Sequence, residues 1–346
     1  MMLSALLIVG YTITGGFNAV CVTDLVQSIV MTGALAIVLI YGITSAGGWT
    51  AVMDNAAALP GYLSLTSTFD VVSGSEVKYN FLTIFSTAAW GLGYFGMPHI
   101  LVRFMAIEDE KKLVLSRRIA SVWVVIAMTA GVLIGIVGLG MTKAGALETL
   151  TGSNSETIIV RIAGIISQHN ALTALIAGII LAGILAATMS TADSQMLAAA
   201  SGVSQNIVHD FLKIKISEKT NLLIARLTIV GIAIVSIFLA RNPNSSVFKI
   251  VSFAWAGFGG AFGAVVLCSL FWKRCNLAGA IAGIISGGAT VFIWKYLIRP
   301  LGGILDIYEL LPAFIVSLIF IIVVSLLTKA PDEEIVREFE AASQKA

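Results

Sequence analysis

The 346-residue chain is 58% hydrophobic and only 12% charged, and its formal net charge at pH 7 is +2. So few charged residues cannot cover the surface of a water-soluble domain of this length, which excludes an ordinary soluble globule and favours a membrane protein. The near balance of charge predicts no nucleic-acid partner. Three cysteines, Cys21, Cys268 and Cys275, lie in or beside apolar segments without metal-ligand spacing, and we interpret them as buried apolar side chains.

Apolar runs long enough to cross a hydrocarbon core of ~30 Å recur along the chain, and backbone groups in that core require helical hydrogen bonding. The opening segment has neither a basic region nor a cleavage pattern, so we interpret it as the end of a membrane helix rather than a signal peptide. A stub at about 1–14 precedes eight predicted spans near 17–43, 78–105, 117–140, 171–203, 219–241, 248–272, 276–298 and 307–329.

The predicted organisation is therefore an all-α integral membrane domain over residues 1–330, followed by a charged tail, 331–346, that forms a helix or a frayed end. Alternate loops carry thirteen and seven Lys and Arg residues, and short loops rich in these residues remain cytoplasmic. This bias predicts a cytoplasmic C-terminus. It places segments 44–77 and 141–170 on the outer side, where each is long enough for short surface helices.

The span near 78–105 is interrupted by three glycines and Pro98 within the string WGLGYFGMPHILVRF, residues 90–104. Pro98 lacks a donor and clashes with the preceding turn, which predicts a kinked or locally unwound helix. In transporters such breaks expose backbone dipoles to a substrate, and Trp90 and Tyr94, four apart on one helical face, would line the pocket. Alternatively, the glycines only permit close packing and the aromatic residues mark the membrane interface. We favour the pocket because the break lies well inside the span.

The string LAATMSTADSQ, residues 185–195, places oxygen atoms within an apolar span. Ala187, Ser190 and Thr191 are related as i, i+3 and i+4, so two hydroxyl groups and a backbone carbonyl meet on one helical face. A hard cation such as Na⁺ prefers several oxygen ligands. The alternative is that both hydroxyl groups bond back to the preceding turn or join neighbouring helices.

Two carboxylates also fall within predicted spans. Asp193 follows the Ser-Thr pair, and Asp24 lies about two turns into a span with no other charge. An ionisable residue in a membrane helix costs roughly 2.5–3.5 kcal/mol on insertion scales and normally faces a partner or a cavity. Asp193 near the cytoplasmic end and Asp24 near the inner headgroups remain the alternatives.

Four strings in this order, GGFNAVCVTDLVQ, WGLGYFGMPHILVRFMA, ILAATMSTADSQ and SFAWAGFGGAFGAVVL, resemble the sodium:solute symporter family, most closely its bacterial sodium/proline branch. The resemblance runs from residue 1 to about 330. It implies the LeuT-type inverted-repeat fold, in which 17–43 is the fifth core helix, 78–105 begins the second repeat, and the first span and first three core helices are absent from this chain.

The resemblance also implies site residues. Ala187, Ser190 and Thr191 match half of the main sodium site, and Trp90, Tyr94 and Pro98 match positions around the substrate. Asp24 matches a carboxylate implicated in ion coupling. A second sodium site in some relatives would here use Asp24, Ser190, Asp193 and Ser194, with Asp193 in place of a serine.

The implied function is sodium-coupled symport of L-proline through the plasma (inner) membrane, with sodium, the solute and lipid as the partners and no cofactor beyond the coupling ion. The residues form no catalytic constellation, phosphate loop or Cys/His metal set, so we expect no enzyme. Two alternatives stay open: symport of another small solute such as pantothenate, a sugar or another amino acid, and a non-transporting fragment. We expect the parent protein to transport and this chain alone not to.

Overall fold

The computed structural model describes residues 2–240 and 246–345. The ends of the predicted segments 1–14, 219–241 and 331–346 that fall on residues 1, 241 and 346 lie outside this range. In chain order the α-helices are α1 (Met2–Ser45), α2 (Trp49–Ala57), α3 (Phe81–Ala88), α4 (Pro98–Met105), α5 (Lys112–Lys143), α6 (Ile158–Ser167), α7 (Ala171–Ser201), α8 (Glu218–Leu239), α9 (Val247–Phe258), α10 (Ala264–Phe271), α11 (Leu277–Ile293), α12 (Leu310–Leu327) and α13 (Glu333–Lys345).

Tighter and wider helical turns connect several of these helices. The 3₁₀ segments are Ala89–Gly96, Gly152–Thr157, Arg299–Leu301 and Gly303–Leu305, and the π segments are Gly202–Phe211, Gly259–Gly263 and Trp294–Ile298. Two short strands, β1 (Ser67–Asp70) and β2 (Ser75–Lys78), pair in one hairpin. The all-α prediction omitted this hairpin, because strands of only four residues, STFD and SEVK, carry no apolar alternation.

Within the described residues, seven helical segments are long and apolar enough to cross a membrane: Leu6–Ser45, Lys112–Lys143, Ala171–Phe211, Glu218–Leu239, Val247–Phe271, Leu277–Leu301 and Leu310–Leu327. They coincide with the predicted spans, apart from the one near 78–105. The two segments predicted to be outer each contain a short helix, α2 in 44–77 and α6 in 141–170, and the charged tail forms α13. The outer location of these segments stays a prediction.

The span near 78–105 consists of three pieces, as its glycines and proline predict. Helix α3 passes into the 3₁₀ segment Ala89–Gly96, Met97 is extended, and Pro98 begins α4. Proline fits the first position of a helix because the missing N–H has no partner there in any case. The predicted span is thus divided into helical pieces at residues 89–97.

Helix α1 is interrupted at Gly16, whose φ of 62° and ψ of −169° are not helical. Its 40-residue apolar part, Leu6–Ser45, would extend about 60 Å as a straight helix, roughly twice the hydrocarbon core. The kink lies between the predicted stub, 1–14, and the predicted span, 17–43. A left-handed φ strains any residue with a Cβ, so a glycine is required at the bend.

The chain divides into two compact units. The first comprises the described residues of Met1–Leu63, Phe69–Glu76 and Ala106–Ser245, and the second those of Ser64–Thr68, Val77–Met105 and Ser246–Ala346. The proposed boundary at residue 330 stays a prediction.

In the first unit the main core joins α1, α2, α5, α6 and α7 around side chains such as Val38, Val137 and Ile180, which are fully buried. A smaller cluster, Ile8, Met196, Ala200 and Ile229, joins the start of α1 to the end of α7 and to α8. Helix α7 therefore lies beside both halves of the kinked α1.

In the second unit α11 and α12 pack through glycines. Gly279, Gly283 and Gly287 are buried at four-residue intervals on α11, and a Cβ on Gly283 would overlap the side chain of Ile321 on α12. The 3₁₀ segment Ala89–Gly96 packs just as closely against the π segment Gly259–Gly263, since a Cβ on Gly259 would lie 2.6 Å from the Gly93 Cα. The glycines near residue 93 therefore permit close packing, as the alternative explanation states, and they also lie where the 78–105 span is broken.

Candidate functional site

The predicted oxygen cluster on α7 is present. The Ser190 hydroxyl donates to the Ala187 carbonyl oxygen at 3.1 Å, and the Thr191 hydroxyl donates to the same oxygen at 3.3 Å. Both are the backbone bonds that the alternative interpretation describes. Each hydroxyl oxygen keeps acceptor capacity for a cation, and Thr191 is exposed while Ala187 and Ser190 are half-buried. The sodium-ligand role of these residues stays a prediction.

Asp193 lies well inside the helix, because α7 and the π segment that follows it extend to Phe211. Its side chain is 0% exposed and accepts a hydrogen bond from the Tyr11 hydroxyl. The Ser194 hydroxyl lies 3.4 Å from its other oxygen. The prediction that this carboxylate faces a partner is correct. The alternative that Asp193 lies near the cytoplasmic end of its span stays open.

Tyr11 was not identified from the sequence. It belongs to the part of α1 before the Gly16 kink, and its partner is 182 positions away. The available signal was a tyrosine within an apolar helix, since a buried phenol normally finds a hydrogen-bond partner.

The second half of α1 brings further polar groups to the same place. Asp24 lies close enough to Asp193 for the two carboxylates to interact electrostatically, and Gln27 lies beside the Tyr11 hydroxyl. Ser194 also donates to the Ser190 carbonyl oxygen at 2.9 Å. Asp24, Ser190, Asp193 and Ser194, the residues predicted for a second ion site, thus lie in one region of the first unit, with Asp24 within electrostatic range of Asp193. Two carboxylates in apolar surroundings require a cation or a proton to balance their charge, and the ion-site role stays a prediction.

An aromatic cluster surrounds Trp90 in the second unit. The rings of Phe248, Trp255 and Tyr308 lie within 20° of parallel to Trp90, with centroids 5.6, 5.5 and 5.8 Å away. The Trp255 indole N–H donates to the Trp90 carbonyl oxygen at 3.0 Å. Tyr94 contacts Trp255 edge-on at 4.8 Å and is 49% exposed. We call the rings of Trp90, Phe248, Trp255 and Tyr308 the aromatic stack.

The prediction that Trp90 and Tyr94 share one helical face is wrong. Both belong to the 3₁₀ segment Ala89–Gly96, where three residues complete a turn and positions four apart diverge by about 120°. They are brought together instead by Trp255, which contacts both. Pro98, two residues after the segment's last residue, Gly96, is exposed.

Three members of the stack come from sequence positions to which no site role was given. Trp255 lies in the string SFAWAGFGGAFGAVVL, which was used only for the family resemblance, and its neighbours Gly259 and Gly260 are buried. Phe248 and Tyr308 carry no sequence signal, because an aromatic residue at the end of an apolar span is equally typical of the membrane interface. The substrate-binding roles of Trp90, Tyr94 and Pro98 stay predictions.

The membrane-length helices, the kink in α1 and the broken 78–105 span define a multi-pass helical membrane protein. Two of its carboxylates, Asp24 and Asp193, lie within these helices. The sodium:solute symporter family matches residues 1–287, and the chain belongs to this family.

Its curated relatives include the osmoregulated proline transporter OpuE of Bacillus subtilis, 39% identical over 98% of this chain and 65% of the relative. The sodium/proline symporter of Haemophilus influenzae is 36% identical over 97% of this chain and 65% of the relative. The sodium/proline symporter of Staphylococcus aureus is 36% identical over 96% of this chain and 62% of the relative. The chain therefore spans slightly less than two thirds of the length of these relatives.

A solved structure of a Na⁺-coupled sialic acid symporter in a substrate-bound, outward-open state superposes with a TM-score of 0.68. It is 17% identical in sequence, and the match covers 95% of this chain and 66% of that one. At this identity the likeness concerns the fold alone, and it confirms the predicted LeuT-type transporter fold.

Proposed function

We propose that the protein carrying this chain is a sodium-coupled symporter that moves L-proline into the cell by alternating access. The observation that carries the proposal is the cluster of Asp24, Asp193 and the α7 hydroxyl groups within membrane-length helices. Burial of Asp193 without a cation or a proton is costly, so the cluster suits a protein that binds a cation away from water. The names of the curated relatives, which transport proline or couple it to sodium, support the choice of solute and ion.

In this mechanism sodium binds to the oxygen face of Ala187, Ser190 and Thr191 and favours the outward-open state. Proline then binds beside the broken span, near Tyr94 and the aromatic stack. Closure and inward opening release both into the cytoplasm, and the coupling is the difference in solute affinity between states. The sodium gradient drives the cycle, so no covalent step, enzymatic activity or cofactor beyond the ion is required.

The cellular location and the orientation in the membrane are part of the same proposal. We place the protein in the plasma membrane, the inner membrane of a Gram-negative cell, with lipid around its apolar helices and a cytoplasmic C-terminus. The excess of Lys and Arg in one set of loops supports this orientation.

Another small solute is the second candidate. The sialic acid symporter shares the fold, so the fold itself does not select an amino acid. A competition panel of proline, pantothenate, sugars and other amino acids against labelled proline separates the two candidates.

The test is uptake of labelled proline by the protein expressed from its complete gene, measured across a sodium series. We expect Ser190→Ala and Thr191→Ala each to raise the sodium concentration for half-maximal uptake by about tenfold, equivalent to about 1.4 kcal/mol of lost binding free energy.

Thr188→Ala is the matched control, since Thr188 lies on the same helix and makes a similar 3.1 Å bond to the Ile184 carbonyl oxygen. Uptake that does not respond to sodium would disprove the proposal. If all three substitutions had the same effect, the assignment of Ser190 and Thr191 as sodium ligands would be wrong.

A further inference from the structure

A buried carboxylate lies beside the aromatic stack. Glu309 is 1% exposed at the start of α12, and each of its oxygens meets a cation: Lys295 Nζ at 3.2 Å and Arg299 Nη1 at 2.9 Å. Arg299 Nε also pairs with Asp306 at 2.8 Å, at a more exposed position. Glu309 therefore links the start of α12 to the π segment Trp294–Ile298, through Lys295, and to the 3₁₀ segment Arg299–Leu301, through Arg299.

The residue before this carboxylate makes three contacts around the solute pocket. The Tyr308 N–H donates to the Ser86 hydroxyl on α3 at 2.7 Å, and the Tyr308 hydroxyl donates to the Ser252 carbonyl oxygen on α9 at 2.7 Å. Its ring stacks on Trp90. Tyr308 thus contacts the helix before the break, the broken segment and α9.

The ion pairs hold the peptide that carries Tyr308. Glu309 is covalently next to it, and Lys295 also lies over the Phe253 ring on α9, with 4.1 Å between Nζ and the ring centroid. Without Glu309, two cations lose their shared partner and the start of α12 loses its attachment. Breaking one side of a buried ion pair is strongly unfavourable, because the other charge remains in an apolar place.

We propose that Glu309 is a positioning residue for solute binding: through Lys295 and Arg299 it fixes Tyr308, and Tyr308 fixes the Trp90 ring beside the broken span. Glu309 itself does not touch the solute. This inference rests on the proposed function, because it assigns the aromatic stack to the solute pocket.

The first arm of the test is transport kinetics with Glu309→Gln, which keeps the side-chain shape and removes the charge. Displacement of Tyr308 alters the pocket and leaves the ion site on α7 intact. We therefore expect the KM for proline to rise about tenfold, the energy scale of one lost polar contact, while the maximal rate and the sodium dependence change by less than about twofold. Asp306→Asn is the control, since Asp306 is 60% exposed and pairs with Arg299 only through Nε, so the Arg299 Nη1 and Lys295 contacts of Glu309 remain.

The second arm reports the position of Tyr308 without transport. Ser86 is 2% exposed beneath the Tyr308 N–H, so a thiol at this position is shielded from a maleimide as long as Tyr308 stays in place. We use Ser86→Cys in a protein with Cys21→Ala, Cys268→Ala and Cys275→Ala. Adding Glu309→Gln should raise the labelling rate about tenfold, and adding Asp306→Asn should not.

The results separate the two proposals. A wild-type protein that fails to move proline overturns the proposed function, and the labelling arm still decides the positioning role. Equal labelling rates with Glu309→Gln and Asp306→Asn overturn the inference. If Glu309→Gln does not accumulate in the membrane, the double variant Lys295→Met with Glu309→Gln is labelled instead, and the same criterion applies. It removes both charges of the Lys295–Glu309 pair and leaves Arg299 paired with Asp306.

Discussion

Asp193 shows how one carboxylate is accommodated within an apolar helix. Its side chain is 0% exposed, and the Tyr11 hydroxyl is its hydrogen-bond donor from α1. The desolvation cost of a carboxylate is offset by hydrogen-bond donors or a cation, or avoided by protonation. Tyr11 supplies the hydrogen-bond donor from the protein itself. The negative charge of the nearby Asp24 makes a positive charge favourable at the same place.

Replacement of Tyr11 by Phe removes this donor and leaves the ring. We expect Tyr11→Phe to lower the free energy of unfolding by about 1–3 kcal/mol, the cost of leaving a buried acceptor without its partner. Thermal unfolding in detergent, at fixed sodium concentration, measures the change.

Tyr41→Phe is the control for this prediction. The Tyr41 hydroxyl lies 2.9 Å from His169 Nε2 in an exposed contact, where water replaces the lost bond. Equal melting temperatures for the two variants would show that the Tyr11 bond does not stabilise the protein.

Residue-level prediction succeeded where the signal was local. The spacing of Ala187, Ser190 and Thr191 fixes their shared face because α7 is regular there. Tyr11 and Tyr308 were missed because their partners are distant in sequence, and no helical periodicity relates residues 182 or 222 positions apart.

At the scale of elements, the rules for proline and glycine were sufficient to predict that the 78–105 span is broken. They could not predict the kind of break. An α-helical face was assumed for Trp90 and Tyr94, whereas the segment is 3₁₀. The glycines at four-residue intervals on α11 were a readable signal of close packing that the sequence interpretation left unused.

That packing makes a second prediction. A Cβ on Gly283 has no space against Ile321 and would lie 3.2 Å from the Ser317 hydroxyl oxygen, so Gly283→Ala should destabilise the protein by about 1–3 kcal/mol. Gly257→Ala on α9 is the control, because a Cβ there meets nothing within 4 Å. The unfolding temperatures of both variants in detergent measure this loss of stability. A Gly283→Ala protein as stable as the Gly257→Ala control would contradict the packing argument.

For the whole molecule, hydropathy alone was enough to locate the membrane-length helices, since lipid forces the backbone to bond within each segment. The division into two compact units was not predictable in this way. It depends on which helices pack together, as α1 does with α7 and α11 does with α12, and apolar length says nothing about partners.

Orientation is the prediction at this scale. Because Lys and Arg are retained in the cytoplasm, a phosphatase fused after Lys329 should be inactive, and one fused after Gly302 should be active. Fluorescent-protein fusions at the same two sites should give the opposite result. Reversed activities would invert the assigned topology.

The contact of Gly93 with Gly259 joins main chain to main chain. Trp90 and Trp255, which flank it, are therefore carried by backbones that already touch, and no change of rotamer can bring these backbones closer or apart. The spacing between these two segments can therefore change only when one whole segment slides against the other. We therefore expect Trp90 and Trp255 to change their separation in steps, because closely packed interfaces move between discrete arrangements and not along a continuum.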